Sequence, residues 1–297
     1  MFLLPHFILY ASYFVFPFLL GCLWLWKKNW NRGLLIILII FSVLFIDARF
    51  IETNIVSGHV HTFTIDESAS ETIRVVVYGD MHIGTYRSAE KLQKDVQVIN
   101  DLEPDVILIV GDFIQEGIQI DELGDAFSAY QNLHAPAYAV SGNHDSEQPG
   151  HIPVQHVRDA VEKNGVNIID NKMQDIVIRG KELRLVGLSD IWGGETNYEL
   201  VQSIQDEHNS IVLVHNPDAV FNISRSPIDL VVSGHTHAGQ IRIPYVYDQF
   251  IPTGYPFYHG WYEFDDTSVF ITAGTGYSGL PMRFFFFFAV DAIDIRL

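Results

Sequence analysis

Five polar clusters, each placed at the end of an apolar run, constrain the fold of this chain more than any other feature. In chain order they are Asp80–Met81–His82, Gly111–Asp112, Gly142–Asn143–His144–Asp145, His215 and Gly234–His235–Thr236–His237. In open α/β sheets, ligands bind beyond the carboxyl ends of the strands, so we expect these side chains to converge there. Carboxylates, an amide and imidazoles together suit Mn, Fe, Zn or similar divalent cations. The seven ligands in these clusters are enough for two such cations.

The spacing within the clusters supports a shared site. Alternation along an extended chain puts Asp80 and His82 on one side, where both can reach one cation, and His235 and His237 have the same relation. Two neighbouring cations can clamp a phosphoryl group for in-line attack. A carboxylate between the cations is needed to offset their repulsion, and Asp112 is the natural choice.

Composition excludes several kinds of function. The formal net charge is -18, so most of the surface repels nucleic acid and no nucleic-acid partner is expected. An anionic substrate then needs local positive charge, which bound metal ions would supply. Cys22 is the single cysteine, which rules out both an intrachain disulfide and a thiolate metal site.

The first 56 residues predict a membrane anchor. Phe7 to Trp26 is about 20 residues without a charge, which is long enough to cross the hydrocarbon core as a helix. A second apolar stretch covers about residues 33–51. A two-helix hairpin is favoured over one span with an interfacial helix. A cleaved signal peptide fits poorly, because the basic residues Lys27, Lys28 and Arg32 follow the first run instead of preceding it.

The same basic residues predict the orientation. Positive charge between the two helices should stay cytoplasmic, which leaves both ends of the hairpin, and the large domain, extracytoplasmic. A single span would reverse this. We therefore expect an anchor at 1–56, a linker or edge strand at 57–72, and a catalytic domain at 73–297.

From Ile73 onward, short β-branched runs alternate with stretches of helical periodicity, which predicts an α/β core with mostly parallel inner strands. Helices are expected at Ser88–Leu102, Asp121–Leu133, Pro153–Lys163 and near Asn197–Glu207. Strands are expected at Arg74–Tyr78, Asp105–Val110, Ala137–Val140, Asn167–Ile169, Asp175–Ile178, Glu182–Leu188, Ser210–Val214 and Asp229–Ser233. The last third is strand-like at Gln240–Ile243, Trp261–Phe264, Ser268–Thr272 and Phe285–Leu297, which predicts a second sheet.

The five clusters match, in order, the pattern D-x-H, G-D, G-N-H-[DE], H and G-H-x-H. In this the chain resembles the calcineurin-like metallophosphoesterase superfamily over about residues 73–297. It is most similar to the membrane-associated bacterial phosphodiesterase-like branch, at the stretches Leu213–Asp218, Gly234–Gln240 and Ser278–Arg283. The resemblance implies two mixed β-sheets packed as a sandwich and flanked by helices, here preceded by the helical hairpin. Ala238 stands where this branch usually has glycine.

The resemblance also implies a role for each site residue. One cation would be held by Asp80, His82, Asp112 and His237. The other would be held by Asp112, Asn143, His215 and His235, with Asp112 as the bridge. His144 would contact the phosphoryl oxygen or protonate the leaving group, and Asp145 would orient it. Arg283 would help to hold the phosphate.

The expected function is therefore a membrane-anchored, dinuclear phosphohydrolase that cleaves a phosphoester or pyrophosphate bond. The anchor and the apolar tract at 284–288 favour a lipid-linked or membrane-proximal substrate. One alternative is a pyrophosphate hydrolase of the UDP-2,3-diacylglucosamine type in lipid A synthesis, although that substrate is cytosolic. A non-catalytic metal-binding scaffold is an alternative of another class.

Three further patterns have competing interpretations. Gly274 to Gly279 satisfies G-x-G-x-x-G, but Pro281 follows where a dinucleotide-binding fold needs a helix. The five phenylalanines at 284–288 fit a buried strand, or an apolar wall that faces a bilayer or an acyl chain. His59 and His61 are interpreted as exposed linker residues in preference to a ligand pair.

Overall fold

The computed structural model describes residues 3–28, 30–146, 152–193, 196–205, 209–223, 226–265 and 267–297. Within these residues the strands form two sheets of six, in the orders β1-β12-β2-β3-β4-β5 and β10-β11-β9-β8-β7-β6. The strands are β1 (Val56–Thr64), β2 (Thr72–Tyr78), β3 (Val106–Ile109), β4 (Ala137–Ala139), β5 (Val166–Ile168), β6 (Lys172–Ile178), β7 (Lys181–Gly187), β8 (Ser210–Leu213), β9 (Leu230–Ser233), β10 (Gly260–Phe264), β11 (Thr267–Ile271) and β12 (Phe288–Arg296). The α-helices are α1 (Leu3–Ser12), α2 (Val15–Lys27), α3 (Arg32–Ile46), α4 (Ala89–Asp101), α5 (Leu123–Ala126), α6 (Asn143–Ser146), α7 (Val154–Lys163), α8 (Glu199–Gln202) and α9 (Val220–Ile223).

The inner strands are apolar on both faces because each face contacts a different core. In β2, Val75 and Val77 pack between the two sheets, whereas Val76 and Tyr78 pack against helices on the outer face. The second sheet has the same arrangement, with its outer face covered by α8 and α9. Each fully buried aliphatic side chain stabilises the fold by about 1.5–3 kcal/mol. The predicted sandwich of two mixed sheets with flanking helices is confirmed.

The strand directions also follow the prediction. Strands β2 to β5 are parallel to one another, and so are β7, β8, β9 and β11. Antiparallel β6 and β10 form the edges of the second sheet. Residues 56–64 are the edge strand β1 of the first sheet, and β1 runs parallel to β12. Strand β12 lies between β1 and β2 and runs antiparallel to β2. Because β2, β3 and β4 are parallel, and so are β7, β8 and β9, the carboxyl ends of these strands meet at one edge of each sheet.

Two N-terminal helices are long and apolar enough to cross a membrane, at Leu4–Lys27 (24 residues) and Arg32–Asn54 (23 residues). The first combines α1 and α2, and the second combines α3 with a π-helical turn and a 3₁₀ turn. Most of their side chains are exposed, as expected for helices that face lipid and not a protein core. Arg49 is an exception, because it is buried and donates to the hydroxyl of Ser12 across the hairpin.

Four predicted elements differ from the structure. The expected helix at 121–133 is broken into α5 and two 3₁₀ turns, because Gly124 weakens it and the Ser128 hydroxyl bonds the carbonyl of Asp125. The helix expected at 197–207 shortens to α8, and residues 206–207 lie outside the described part of the chain. Residues 240–243 turn instead of extending, since Gln240 has a φ of 46°. Strand β12 begins at Phe288, after Phe285 adopts a φ of 62°.

A buried ion pair fixes helix α4 to the strand that leads into the site. The guanidinium of Arg87 donates to both carboxylate oxygens of Asp95, at 2.7 and 2.6 Å. The same carboxylate accepts hydrogen bonds from the hydroxyls of Tyr78 and Thr275, both at 2.9 Å. Because Tyr78, Arg87 and Thr275 all bond one buried carboxylate, the end of β2 and the loop at Thr275 are held together.

Candidate metal centre

The backbone brings the polar clusters of the two sheets together. The N–H of Asp80 donates to the carbonyl of Gly111, and the N–H of His82 donates to that of Asp112, so the chains beyond β2 and β3 continue side by side. In the second sheet, the N–H of Gly234 donates to the carbonyl of His215. The N–H of His235 in turn donates to the carboxylate of Asp80, which joins the two sheets at the site.

Several candidate ligands have a left-handed backbone. The φ angle is 50° at Asp80, 48° at His82, 55° at Asp112, 69° at His235 and 50° at His237. Left-handed conformations cost free energy for residues other than glycine, and they cluster at functional sites. The sharp turns aim each side chain back toward the gap between the strand ends, which a continuing strand would not do.

The first group of donor atoms combines Asp80, His82, Asp112 and His237, all of them buried. The Nε2 atom of His82 lies 3.1 Å from Nε2 of His237 and 3.4 Å from Oδ2 of Asp112. The Nε2 atom of His237 lies 3.8 Å from Oδ1 of Asp80. Ligand bonds of about 2.0–2.2 Å place neighbouring ligand atoms roughly 3–3.5 Å apart, so these spacings suit one cation.

The second group combines Asp112, His215 and His235. The Nε2 atom of His215 lies 3.2 Å from Oδ2 of Asp112, 3.1 Å from Oδ1 of Asn143 and 3.2 Å from Nδ1 of His235. Oδ2 of Asp112 therefore belongs to both groups. The structure thus brings together all seven residues that the sequence singled out as ligands.

The hydrogen bonding of the imidazoles fits a bound metal. His215 donates from Nδ1 to the carbonyl of Val110 at 2.7 Å, which directs its Nε2 atom at the carboxylate of Asp112. Metal-binding histidines commonly donate their second N–H to a carbonyl in this way. Nitrogen and oxygen atoms this close, at 3.1–3.2 Å, need either a proton or a metal cation between them. The donor set therefore fits divalent cations held by these seven residues.

Burial sets the protonation of the cluster. Burial lowers the pKa of His82 to about 3 and the pKa of His235 to about 3, so both rings are neutral near pH 7, which is the form that ligates metals. Burial also raises the pKa of Asp80 to about 7. Burial alone would raise the pKa of Asp112, but His215 and His144 outweigh it and hold that pKa well below its usual value. Asp112 is thus the carboxylate that stays ionised.

His144 lies on the wall of a cavity beside the cluster. The cavity has a volume of about 570 Å³, and Asp112, Asn143, His235 and His237 also line it. The backbone N–H of His144 donates to Oδ1 of Asp112 at 2.9 Å, and its Nε2 atom lies 3.4 Å from the hydroxyl of Ser278. The imidazole is therefore placed next to the ligands and within reach of a molecule in the cavity.

Asp145 makes backbone contacts that its predicted role did not include. Its carboxylate accepts backbone N–H bonds from Phe113, Ile114 and Gly142, at 2.9, 3.2 and 2.9 Å. These bonds join the loop after Asp112 to the turn that carries Asn143 and His144. We therefore propose that Asp145 fixes these loops, and its role in orienting the ring of His144 stays a prediction.

Arg283 also departs from the expectation. Its side chain is fully buried, and its guanidinium donates to the carbonyls of His237 at 2.6 Å, Ala273 at 2.9 Å and Gly276 at 2.6 Å. These bonds support the loop that carries His237. Since carbonyls occupy its donors, its placement does not support the predicted phosphate contact, and we propose that it positions the ligand loop.

Sequence reasoning missed two parts of the site. The first two glycines of the G-x-G-x-x-G pattern pack against the segment that carries Asp80: a Cβ at Gly274 would lie 2.5 Å from the Cβ of Asp80, and one at Gly276 would lie 2.3 Å from its carbonyl oxygen. Close packing therefore explains these glycines. Trp192 was also missed; its ring meets that of His235 edge to face at 4.5 Å and lines the cavity. No motif marks Trp192 in the sequence.

Comparison with known proteins identifies the family. The calcineurin-like phosphoesterase family, Metallophos, matches residues 73–239, which is more than half of the chain. The chain belongs to the calcineurin-like phosphoesterase family. It is accordingly a metal-dependent phosphoester hydrolase, and the resemblance predicted from the five clusters is confirmed.

Three relatives illustrate the similarity. The uncharacterized metallophosphoesterase YkuE of Bacillus subtilis is 29% identical over 245 residues, which cover 80% of this chain and 84% of YkuE. Phosphodiesterase YaeI of Escherichia coli is 25% identical over 73% of this chain and 80% of YaeI. A transmembrane protein with a metallophosphoesterase domain from Danio rerio is 30% identical over 71% of this chain, which spans half the length of that relative.

Replacing Asp112 tests the shared carboxylate. We expect Asp112→Asn to lower the metal content of the purified protein and to reduce phosphodiesterase activity at least about 100-fold, because an amide cannot offset the repulsion between two cations. Elemental analysis and turnover of an aryl phosphodiester measure both effects. Asp248→Asn makes the same change at an exposed position and should alter neither. Wild-type metal content and rate in Asp112→Asn would show that the site is assigned wrongly.

Replacing His144 separates proton transfer from metal binding. We expect His144→Ala to retain its metal and to lose about 10²–10⁴-fold in rate on poor leaving groups, with a smaller loss on 4-nitrophenolate, which needs no proton. Rates for phenyl and 4-nitrophenyl esters measure the difference. His134→Ala, at an exposed position, is the matched control. Equal losses on both esters would contradict the role of His144 as an acid.

Proposed function

We propose that the chain is a membrane-anchored phosphohydrolase that uses two divalent cations to cleave a phosphoester or pyrophosphate bond in a lipid-linked substrate. The anchor would comprise residues 1–56, and the catalytic domain residues 73–297. The first half of the segment predicted as a linker or edge strand, residues 57–72, lies in the edge strand β1 at Val56–Thr64. This segment would therefore join the anchor directly to the first sheet.

One observation carries the lipid-linked assignment. The cavity beside the metal ligands is mostly apolar, and its walls include Ile241, Ile243 and Leu280. A second, open groove of about 460 Å³ shares Ile241 and Ile243 with it. The remaining walls of the second groove come mainly from the two N-terminal helices, including Val15, Phe18, Leu38, Phe41 and Phe45. An apolar surface thus continues from the candidate membrane spans to the metal centre.

The catalytic domain is held directly against the anchor. The N–H of Arg283 donates to the carbonyl of Ala48 at 3.0 Å, and the N–H groups of Phe285 and Phe286 donate to the carboxylate of Glu52 at 3.0 and 3.3 Å. These bonds fix the phenylalanine tract where the second helix ends. The centre would therefore lie close to the membrane surface.

Of the two interpretations of the phenylalanine tract, the exposure of its side chains favours an apolar wall and not a buried strand. Phe285 and Phe287 are 59% and 43% exposed, and Phe284 lines the groove between the anchor and the domain. Phe288, by contrast, is buried and begins β12. Exposed phenylalanines next to apolar helices suit contact with lipid, because exposure of their apolar surface to water is unfavourable.

The chain's own residues would divide the chemistry as follows. Bound divalent cations would polarise the phosphoryl oxygens and activate water. The seven ligands would hold the cations, and Asp112 would lower their mutual repulsion. His144 would donate its proton to the leaving oxygen. The apolar walls at Ile241, Ile243 and Tyr247 would bind the hydrocarbon part of the substrate and limit access of water.

The alternatives are less well supported. A UDP-2,3-diacylglucosamine-type substrate also combines acyl chains with a pyrophosphate, but it is cytosolic and conflicts with an extracytoplasmic domain. A non-catalytic scaffold would not need a complete ligand set together with an imidazole on the wall of an adjoining cavity.

A homologous series of substrates tests the lipid-linked assignment. For 4-nitrophenyl alkyl phosphates from methyl to octyl, kcat/KM should rise with chain length, because each buried methylene contributes about 0.8 kcal/mol. We expect Ile243→Glu to flatten this rise and to leave the methyl ester nearly unchanged. As a control, Val177→Glu makes a comparable change at an exposed position of β6, and kcat/KM of this variant should still rise with chain length. A wild-type kcat/KM that is independent of chain length would argue against a lipid-linked substrate.

The orientation has a separate test. Lys27, Lys28 and Arg32 lie in or beside the turn between the two helices, so we propose that this turn is cytoplasmic and the domain extracytoplasmic. A phosphatase reporter fused after Leu297 should then be active, whereas a reporter that fluoresces only in the cytoplasm should be dark. The reverse pattern would place the domain in the cytoplasm and restore the UDP-linked alternative.

A further inference from the structure

A second cluster of histidines lies outside the catalytic centre, on the first strand after the anchor. His59 and His61 alternate along β1, so both side chains lie on the same face of this strand. The parallel pairing of β1 with β12 places His59 opposite Asp291. The sequence favoured exposed linker residues for this pair, whereas the structure places both imidazoles against one buried carboxylate.

Three imidazoles approach the same carboxylate oxygen. Oδ1 of Asp291 lies 3.3 Å from Nδ1 of His59, 3.2 Å from Nε2 of His61 and 4.0 Å from Nε2 of His259. His259 comes from the other sheet, directly before β10. Its Nε2 atom is buried and has no hydrogen-bond partner, so it lacks the pairing that a buried polar atom normally has.

A hydrogen bond to its second oxygen fixes the orientation of the Asp291 carboxylate. Asp291 is fully buried, and its Oδ2 atom accepts a hydrogen bond from the hydroxyl of Thr272 at 2.6 Å. Hydrogen bonds of this kind orient carboxylates that ligate metals. Oδ1 is therefore presented to the three imidazoles, and the rings of Phe270 and Phe286 pack beside them.

The donor atoms indicate which kind of metal ion this cluster would bind. Nitrogen atoms of His59 and His61 and an oxygen of Asp291 lie within 4.8 Å of one another, and His259 lies beside this group, 4.0 Å from the same carboxylate. Imidazole nitrogens together with a carboxylate oxygen match four-coordinate Zn²⁺ or a similar transition metal, whereas Ca²⁺ and Mg²⁺ prefer oxygen ligands. Burial lowers the pKa of His259 to about 4, so that ring is neutral near pH 7 and its lone pair is available. The side chain of His59 is 41% exposed, which leaves a path for a metal to enter.

We propose that His59, His61 and Asp291 form a mononuclear, structural metal site for Zn²⁺ or a similar transition metal, with the adjacent His259 moving in as the fourth ligand when the metal binds. The site would tie the edge strand β1, which follows the second membrane helix, to β12 of its own sheet and to the beginning of β10 in the other sheet. Such a site adds no chemistry to phosphoester cleavage. Its effect would be to stabilise the junction between the anchor and the catalytic domain.

A difference in metal content between two matched proteins tests the site. The full chain in detergent micelles is prepared as Asp112→Asn and as Asp112→Asn/His61→Ala, and each is titrated with Co²⁺ alone. We expect the first protein to bind one more equivalent of Co²⁺ than the second, with the intense visible absorption of a four-coordinate Co²⁺ site. Because both proteins carry Asp112→Asn, metal that remains at the catalytic centre cancels in the comparison.

Stability gives a second measurement. Zn²⁺ should raise the thermal midpoint of Asp112→Asn and of Asp112→Asn/His134→Ala, but not that of Asp112→Asn/His61→Ala. Should His61→Ala fail to fold, Asp291→Asn, which keeps an acceptor for Thr272, replaces it. Equal Co²⁺ content in the matched proteins would overturn the proposal. A thermal midpoint that changes with pH but not with Zn²⁺ would also overturn the proposal. It would indicate that the histidines form ion pairs with Asp291 and bind no metal.

Discussion

The rest of the site depends on the contacts that the carboxylate of Asp112 makes with both ligand groups. Its Oδ2 atom lies 3.4 Å from a nitrogen of His82 and 3.2 Å from one of His215, and these histidines come from different sheets. Its Oδ1 atom accepts the N–H of His144. Because a single ionised group contacts both ligand groups and the turn that carries the candidate acid, the two sheets must meet at one edge for the site to exist.

Much of this arrangement could be predicted from the sequence. Polar residues that follow β-branched runs indicated where inner strands end, and the parallel direction of those strands explains why seven distant side chains converge. The strand at 72–78 and the helices at 89–101 and 154–163 lie close to their predicted positions. These elements were predictable because local periodicity and tertiary burial favour the same structure.

The remainder depends on contacts that local patterns do not encode. Asp145 bonds three backbone amides, and Arg283 bonds loop carbonyls, and neither set of contacts was indicated by the resemblance. His59 and His61 looked like linker residues because their partners, Asp291 and His259, lie about 200 residues further along the chain. Pairing over such separations is set by strand order, which the spacing of motifs does not reveal.

The position of β12 has a consequence for biogenesis. This strand lies between β1 and β2, and the ribosome makes it after every other strand described above. The two apolar N-terminal helices are made first, but the strand that follows them has no partner strand until residues 288–296 emerge. The nascent domain would therefore keep an unpaired sheet edge until synthesis is almost complete, which gives chaperones and quality-control proteases a defined interval in which to act.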